Sequence, residues 1–217
     1  MPKKKKPEKR ALSPGERVAI DKADFTPKQK AFVSIALWAG LRRGEILALN
    51  KSDIDFENRI IKVNKTLIFK KESPPEIKGP PKTDAGVRDI PVRQKLYDVL
   101  IEYVNLIDTD TLFTMNNGDL VTLSSYTKFW QSILKAIDKA AEAEGLPVDT
   151  QTMTAYILRH TFATDLVYSG VDVKTAQRLL GHSSVQTTLN IYTHCQATNK
   201  DIIGKMDSYN APQYSTI

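Results

Sequence analysis

The sequence predicts a mainly α-helical domain with one small antiparallel β-sheet, an α+β fold. Apolar residues recur at helical spacing on both sides of residues 53–92, whereas that middle stretch is rich in β-branched and aromatic residues separated by turn signals. Capping residues and prolines precede the first helical segments. With 217 residues and 41% hydrophobic residues, the chain can bury the core of one large domain or of two small ones.

The N-terminal helices are predicted from their caps. Residues 13–16 combine a serine, a proline and a glutamate as in a capping box, so we expect folded structure to begin at Ser13. Thr26-Pro27 repeats the signal before an apolar helix that Gly40 ends. Residues 41–49 predict a turn that opens a short helix. Arg42 lies at this junction, where a polar side chain can leave the core.

The middle of the chain predicts strands. Residues 53–71 favour two or three short antiparallel strands around an Asn58-Arg59 turn. The prolines and glycines of residues 73–86 predict a loop, and a further strand follows over residues 87–92. Lys82 is in the tip of that loop, where a lysine is usually only solvated.

The rest of the chain predicts helices. Residues 93–107 carry apolar residues on one face, and Leu123-Ser124 is expected to cap a helix that runs to about residue 143. Three helices follow, over residues 154–168, 172–180 and about 185–191, and Gly170 and Gly181 end the first two.

The overall charge comes mostly from one end of the chain. The formal charge is +6, but the first ten residues contain six Lys/Arg and one Glu, which leaves +1 for the remainder. We interpret residues 1–12 as a flexible basic linker, with a nuclear-localisation-like run as the alternative. Any site for a polyanion in the body must therefore come from local patterning. A single cysteine, Cys195, excludes an internal disulfide, and the sequence has neither a membrane-spanning run nor a secretory signal; we expect a soluble, cytoplasmic protein.

The C-terminal third contains the candidate chemistry. Arg159, His182 and Tyr192 fall where one phosphate could contact all three, since arginine binds two phosphate oxygens at once and a tyrosine hydroxyl can attack phosphorus. Tyr156 shares a helix face with Arg159, whereas His160 is predicted to turn away from it. Each residue also has a purely structural explanation: a salt bridge for Arg159, a capping hydrogen bond for His182 and a buried aromatic ring for Tyr192.

Four segments together resemble the boxes of the tyrosine recombinases, most closely the integrases of phages and conjugative transposons. They are AGLRRGEI (39–46), PKTDAG (81–86), ILRHTFAT (157–164) and LLGHSSVQTTLNIYTH (179–194), and they occur in the family's order and with similar spacing. The resemblance covers residues 13 to about 205. It implies the tyrosine recombinase catalytic-domain fold over residues 13–217.

The resemblance implies a role for each site residue. It makes Arg42 and Arg159 the catalytic arginines, Lys82 the lysine of the β-hairpin, His182 the histidine and Tyr192 the nucleophile. Glu45 matches the acidic residue that supports the first arginine. Tyr192 would form a 3′-phosphotyrosine, the arginines would neutralise the transition state, and Lys82 would protonate the leaving 5′ oxygen. Neither ATP nor a metal ion is then expected, and adjacent His194 and Cys195 are awkwardly arranged for zinc.

One position departs from the family's pattern. The family usually has His or Lys three residues before the second arginine, and this chain has Tyr156. A phenol can donate a hydrogen bond to a phosphate oxygen, but with a pKa of about 10 it is a poor proton acceptor at neutral pH. Tyr156 could act as this donor, which we favour, His182 could take over the base role, or the enzyme could be slower.

The resemblance also implies partners and domain organisation. The expected partners are double-stranded DNA, further copies of the chain in a synaptic tetramer, and accessory excision or bending proteins. The chain has no room for the N-terminal DNA-binding domains of such integrases, so we expect a catalytic-domain fragment or a protein that uses this domain alone. Residues 197–217 match a tail that docks on a neighbouring protomer; folding back on its own core is the alternative. A type IB topoisomerase and a noncatalytic DNA-binding regulator remain the other functions to test.

Overall fold

The computed structural model describes residues 10–70, 73–79 and 86–194. Within these ranges the helices are α1 (Pro14–Lys22), α2 (Pro27–Trp38), α3 (Arg43–Leu47), α4 (Gln94–Leu106), α5 (Leu123–Ala143), α6 (Ala155–Tyr168), α7 (Val173–Leu180) and α8 (Val185–His194). The strands are β1 (Ile54–Asp55), β2 (Ile60–Val63), β3 (Thr66–Ile68), β4 (Glu76–Lys78) and β5 (Arg88–Pro91). The predicted mainly helical α+β architecture is confirmed.

Three predictions concern residues outside these ranges. Lys82, the C-terminal tail (197–217) and most of the basic linker, residues 1–9, lie outside the described residues. Residues 10–12 of the predicted linker are described, and two of them contact the domain. Leu12 is buried, and Arg10 forms two 2.7 Å hydrogen bonds with Glu16.

The strands form two small antiparallel sheets in the described part of the chain, where one was predicted. One has the order β1-β2-β5, and its register pairs Ile61 with Ile90. The other pairs β3 with β4, Leu67 opposite Ile77. The loop predicted over residues 73–86 was therefore wrong at Glu76–Lys78. Prolines and a glycine flank this short strand, so only its partner, eight or more residues earlier, reveals it.

Most helix ends agree with the capping signals. The predicted caps Ser13 and Thr26 accept backbone N–H groups at the starts of α1 and α2. Asp172 does the same at the start of α7. The predicted cap of α5 at Leu123-Ser124 was one residue late, because the Thr122 hydroxyl accepts the Ser125 N–H at 3.2 Å. A hydroxyl in this place satisfies one of the otherwise unpaired N–H groups of the first turn.

Helix α2 lies at the centre of the core and packs against α4 and α6. Phe32 and Ile35 on this helix are fully buried, and the Phe32 ring meets the Phe113 ring edge-on at 5.6 Å. Burying each such side chain stabilises the fold by about 1.5–3 kcal/mol. This packing fixes two segments that matter for the site: the turn after α2 and the first half of α6.

None of the helices in the described ranges combines the length and the apolar character needed to cross a bilayer.

Candidate active site

Arg42 occupies the N-cap position of α3, and its side chain remains 45% exposed. Its guanidinium donates to Glu45 Oε1 at 2.9 Å and to the carbonyl oxygen of Gly181 at 2.8 Å. Its backbone N–H also donates to Glu45 Oε2 at 2.8 Å. The side chain is thus held at both sides while one edge still faces solvent.

The neighbouring Arg43 points to a different surface. Its guanidinium lies 5.0 Å from the Phe69 ring centroid and 4.9 Å from that of Tyr126. Such stacking over two aromatic faces is a cation–π arrangement. Only the first arginine of the AGLRRGEI segment therefore joins the site.

Arg159 is buried, with 4% of its surface exposed. It donates to the carbonyl oxygen of Gly40 at 2.6 Å and also to that of Leu180. Burial lowers the pKa of Arg159 to about 9, and the charge of Arg42 acts in the same direction. The guanidinium nevertheless remains protonated at neutral pH, so it is a fixed positive charge within the site.

Gly40 is needed at the turn before Arg42. Its φ of +65° is in the left-handed region, and a Cβ at this position would come within 2.1 Å of Cδ1 of Phe162. Glycine avoids both problems because it has no Cβ. The carbonyl oxygen of Gly40 can therefore point at Arg159 while the Phe162 ring covers the turn.

Glu45 is the acid that connects two arginines. Its carboxylate accepts four hydrogen bonds: two from Arg42, and two from Arg88 at 3.1 and 2.7 Å. Burial raises the pKa of Glu45, but the hydrogen bond and charge of Arg88, followed by the contacts with Arg42, outweigh it and lower this pKa to about 2. Glu45 is therefore ionised throughout the physiological range.

The carbonyl oxygens at the end of α7 accept hydrogen bonds from three arginines, Arg42, Arg88 and Arg159. We call these three arginines the arginine cluster. The pairs are Arg88 Nε with the Leu179 oxygen, Arg159 with the Leu180 oxygen, and Arg42 with the Gly181 oxygen. These carbonyls have no partner within their own helix and lie at its negative end. The end of α7 thus gathers three positive charges, from the N-cap of α3, from β5 and from α6.

His182 follows this helix end directly and is half-buried. Its Nδ1 lies 3.0 Å from the hydroxyl oxygen of Thr188, a fully buried residue of α8. Burial lowers the pKa of His182 to about 4, and the charges of Arg159 and Arg42 add to the effect. The imidazole is therefore neutral at pH 7 and has one nitrogen free of a proton.

A cavity of about 560 Å³ opens beside these groups. Tyr156, Arg159, His160 and His182 are among the residues that line it. The prediction that His160 turns away from the site was wrong, because Tyr156 and His160 are one turn apart on α6, with ring centroids separated by 6.2 Å. Arg159, three residues after Tyr156, lies on the same face, so one face of α6 lines the cavity.

Tyr192 lies outside this cavity lining. It is half-buried on α8, and its hydroxyl donates to the carbonyl oxygen of Val171, in the turn between α6 and α7. Other residues of α8, including Asn190 and Ile191, do line the cavity. The structure thus brings Arg42, Arg159 and His182 together and directs the Tyr192 hydroxyl elsewhere.

A match to a protein-family model shows the family of the chain. The model of the phage integrase family matches residues 18–199. The chain belongs to the phage integrase family. This membership confirms the resemblance to tyrosine recombinases that the four sequence segments predict.

Individual relatives of this phage integrase domain agree. The transposase of transposon Tn916 from Enterococcus faecalis is 32% identical over 204 residues, which cover 89% of this chain and 48% of the relative. A XerC-like tyrosine recombinase of Caldanaerobacter subterraneus is 32% identical over 187 residues, 76% of this chain and 45% of the relative. The chain spans about half the length of the curated relatives it matches.

Solved structures share the fold of this family member. The integrase of transposon Tn1549 in complex with circular intermediate DNA superposes with a TM-score of 0.76 at 29% identity, covering 94% of this chain and 68% of that one. The XerA recombinase gives a TM-score of 0.63 at 26% identity, covering 97% and 67%. The tyrosine recombinase catalytic-domain fold is thereby confirmed.

The integrase domain also contains site residues that the sequence did not single out. Arg88 and Thr188 contact Glu45 and His182, respectively. Both look ordinary in sequence, one as a strand residue and one as the second threonine of a pair. A buried arginine in an alternating strand was the available signal, since charged side chains are rarely buried without a partner. No cluster of three or more possible metal ligands occurs among the residues that the structure describes.

Proposed function

We propose that this domain is the catalytic domain of a site-specific DNA recombinase that cuts and rejoins DNA through Tyr192. The observation that carries the proposal is the meeting of Arg42 and Arg159 at the end of α7, beside the neutral His182. Two guanidinium groups and an imidazole at one point suit a phosphodiester, whose reaction develops negative charge on non-bridging oxygens. The Tn1549 integrase, solved with DNA, supports double-stranded DNA as the substrate.

The arginines would bind the scissile phosphate without first being reorganised. Arg42 uses two of the five N–H donors of its guanidinium for Glu45 and Gly181, so others remain for a phosphate oxygen. Arg159 is fixed by two backbone carbonyls and lines the cavity. Their charges are in place before the transition state forms, which is the arrangement that stabilises it most.

The proposed reaction is an exchange of phosphodiesters. The Tyr192 oxygen bonds to phosphorus, the bond from phosphorus to the 5′ oxygen breaks, and the products are a 3′-phosphotyrosine and a free 5′-hydroxyl. In the reverse direction, the 5′-hydroxyl of a partner duplex attacks the phosphotyrosine and releases Tyr192. Because each step replaces one phosphoester bond with another, the cycle requires no ATP and no redox partner.

In each direction, the reaction needs one group that accepts a proton and one group that donates a proton. His182 is suited to accept the Tyr192 proton, since its low pKa leaves the imidazole neutral at pH 7. Tyr156, which is 49% exposed at the cavity, would donate a hydrogen bond to a non-bridging oxygen. Lys82 would protonate the leaving 5′ oxygen; this role rests on the family resemblance.

The attack requires a rearrangement of Tyr192. Its hydroxyl must exchange the Val171 carbonyl for the phosphate, and α8 must turn or shift to allow this. Strand exchange also requires two cuts in each of two duplexes, which four protomers would supply. A synaptic tetramer on DNA, with accessory excision or bending proteins, is therefore part of the proposal.

A nicked suicide substrate tests the proposal. A nick beside the cleavage point lets the short 5′-hydroxyl fragment leave, so a covalent protein–DNA adduct accumulates and is seen as a shifted band on a denaturing gel. We expect the adduct with the unchanged chain and with Tyr97→Phe, a change at a half-buried tyrosine of α4 that packs on Phe56, and none with Tyr192→Phe.

The other outcomes have distinct meanings. An adduct accompanied by relaxation of supercoils without exchange between duplexes would favour the type IB topoisomerase alternative. DNA binding without any adduct, under conditions where Tyr192→Phe binds equally well, would favour the noncatalytic regulator. An adduct that survives Tyr192→Phe would reject the assignment of the nucleophile.

A further inference from the structure

Arg88 is a buried member of the arginine cluster. Only 1% of its side chain is exposed, so it cannot touch a DNA phosphate in this arrangement. All three of its guanidinium nitrogens donate: Nε to the Leu179 oxygen at 2.8 Å, and the two terminal nitrogens to Glu45 at 3.1 and 2.7 Å. Its position therefore depends on two groups that themselves contact the proposed active site.

We propose that Arg88 is a positioning residue for strand cleavage, which holds Glu45 against Arg42 and fixes the helix end that leads to His182. This inference rests on the proposed function and extends it to a residue that does not meet the substrate. Through Glu45 it sets the orientation of Arg42, and through the Leu179 oxygen it sets the last turn of α7.

The charges explain why an arginine is needed here. Glu45 has four hydrogen-bond acceptor positions, and all four are filled by N–H groups of Arg42 and Arg88. Without Arg88, two of them would be left buried without a donor. Burial would then raise the pKa of Glu45, and the carboxyl group would hold Arg42 less firmly as the pH falls.

The fork of the guanidinium explains why lysine would not be equivalent. Arg88 bonds Glu45 side by side with two nitrogens and turns the third toward α7. An ammonium group is a single point charge and cannot reproduce this planar pattern. Arg88→Lys should therefore keep part of the charge effect on Glu45 but lose the hold on Leu179.

The location of Arg88 in the fold makes it a link between distant parts of the site. It is the first residue of β5, opposite Val63 of β2, and β5 also packs against α7. Arg88 thus joins the three-stranded sheet to the turn that carries His182. Nothing comparable holds that turn from the sheet side among the hydrogen bonds of the described residues.

The experiment compares four variants in the nicked-substrate assay: Arg88→Met, Arg88→Lys, Arg88→Ala and the control Arg17→Ala. Arg17 forms an equally bidentate pair with Asp165, at 3.1 and 2.6 Å, away from the cluster. Each variant is checked by circular dichroism and thermal melting, and its affinity for the uncleaved DNA is measured. The initial rate of adduct formation is then followed between pH 5 and pH 8.

We expect Arg88→Met to form the adduct about 10²-fold more slowly, the size of effect that a misplaced catalytic group produces. DNA affinity should change far less than the rate. The deficit should grow as the pH falls, because Glu45 becomes protonated only when Arg88 is absent; the unchanged chain and Arg17→Ala should show no such growth. The rate of adduct formation by Arg88→Lys should lie between the rates of the unchanged chain and of Arg88→Met.

Chemical rescue separates positioning from a general loss of stability. Guanidinium chloride, far below denaturing concentrations, should restore adduct formation by Arg88→Ala and leave Arg17→Ala and Tyr192→Phe unchanged. If Arg88→Ala does not fold, the double variant Glu45→Gln/Arg88→Met takes its place. Its loss of rate should be smaller than the product of the losses in Glu45→Gln and Arg88→Met, because Arg88 acts partly through Glu45; a loss equal to that product would overturn the positioning role.

The outcomes distinguish the two proposals. If the unchanged chain forms a Tyr192-dependent adduct but Arg88→Met matches it in rate and pH profile, the positioning role is wrong and the proposed function stands. If Arg88→Met is slow only in proportion to its lost DNA affinity, the positioning role is also wrong. If the unchanged chain forms no adduct, both proposals fail.

Discussion

Replacing Gly40 with alanine tests whether the turn before Arg42 is held by its packing as well as by its backbone conformation. At φ +65°, an alanine carries a strain of about 1–2 kcal/mol. Its Cβ would also meet the Phe162 ring at 2.1 Å. The ring must move, and overpacking of this kind costs about 1–3 kcal/mol. Together we expect Gly40→Ala to lower the free energy of unfolding by roughly 2–5 kcal/mol.

Gly145 offers a matched control. Its φ is +63°, and nothing lies within 4 Å of an added Cβ. Gly145→Ala should therefore show the strain alone, about 1–2 kcal/mol. Urea denaturation followed by circular dichroism gives the free energy of unfolding of each variant. The difference between the two variants then measures the packing of Phe162 against the turn.

The same change should affect the proposed chemistry. The carbonyl oxygen of Gly40 accepts a hydrogen bond from Arg159, so displacing the turn displaces a proposed catalytic guanidinium. Gly40→Ala should slow adduct formation, and a second change, Phe162→Leu, should recover part of the lost stability by making room. Equal losses in Gly40→Ala and Gly145→Ala would refute the packing argument, as would a Gly40→Ala variant with unaltered cleavage.

Three further predictions concern the site. His182 should titrate near pH 4 in an NMR titration of its ring, and the proposed cleavage should rise with pH through that value and then level off; a midpoint near 6.5 would contradict the burial argument. Arg159→Ala should lower the melting temperature more than Arg42→Ala, because the buried Arg159 leaves two carbonyls without a donor whereas Arg42 is 45% exposed. Tyr156→Phe should slow adduct formation, whereas full activity, or a Tyr156→His variant that cuts no faster, would argue that the hydroxyl is not used.

The sequence predicted well what depends on neighbouring residues. The caps at Ser13 and Thr26 satisfy backbone groups only three residues away, so local patterns contain the needed information. The strand at Glu76–Lys78 was missed because the prolines and the glycine that flank it indicate a loop, whereas its pairing with β3 is not visible locally.

The residues missed in the site depend on contacts that are distant in sequence. Arg88 falls on the buried face of its alternating strand, which indicates a partner, but only Glu45, 43 positions earlier, identifies that partner. His160 was misplaced because it was set apart from Tyr156, although residues four positions apart share a helix face, and both line the cavity. The direction of the Tyr192 hydroxyl likewise depends on how α8 packs on α6 and α7, which no local pattern specifies.

For the proposed reaction, the residues that would bind the phosphate are already in position, whereas the nucleophile is not. Arg42 and Arg159 are fixed by carboxylate and carbonyl oxygens, and His182 by Thr188, so the groups that would receive the phosphate already have their partners. The Tyr192 hydroxyl is instead bound to the Val171 carbonyl. A neutral hydrogen bond of this kind contributes about 0.5–1.5 kcal/mol, and contacts of α8 with DNA or with a neighbouring protomer would have to offset its loss. On the proposed function, the timing of cleavage would therefore be set by the position of α8, while the arginine cluster would determine the rate once Tyr192 has arrived.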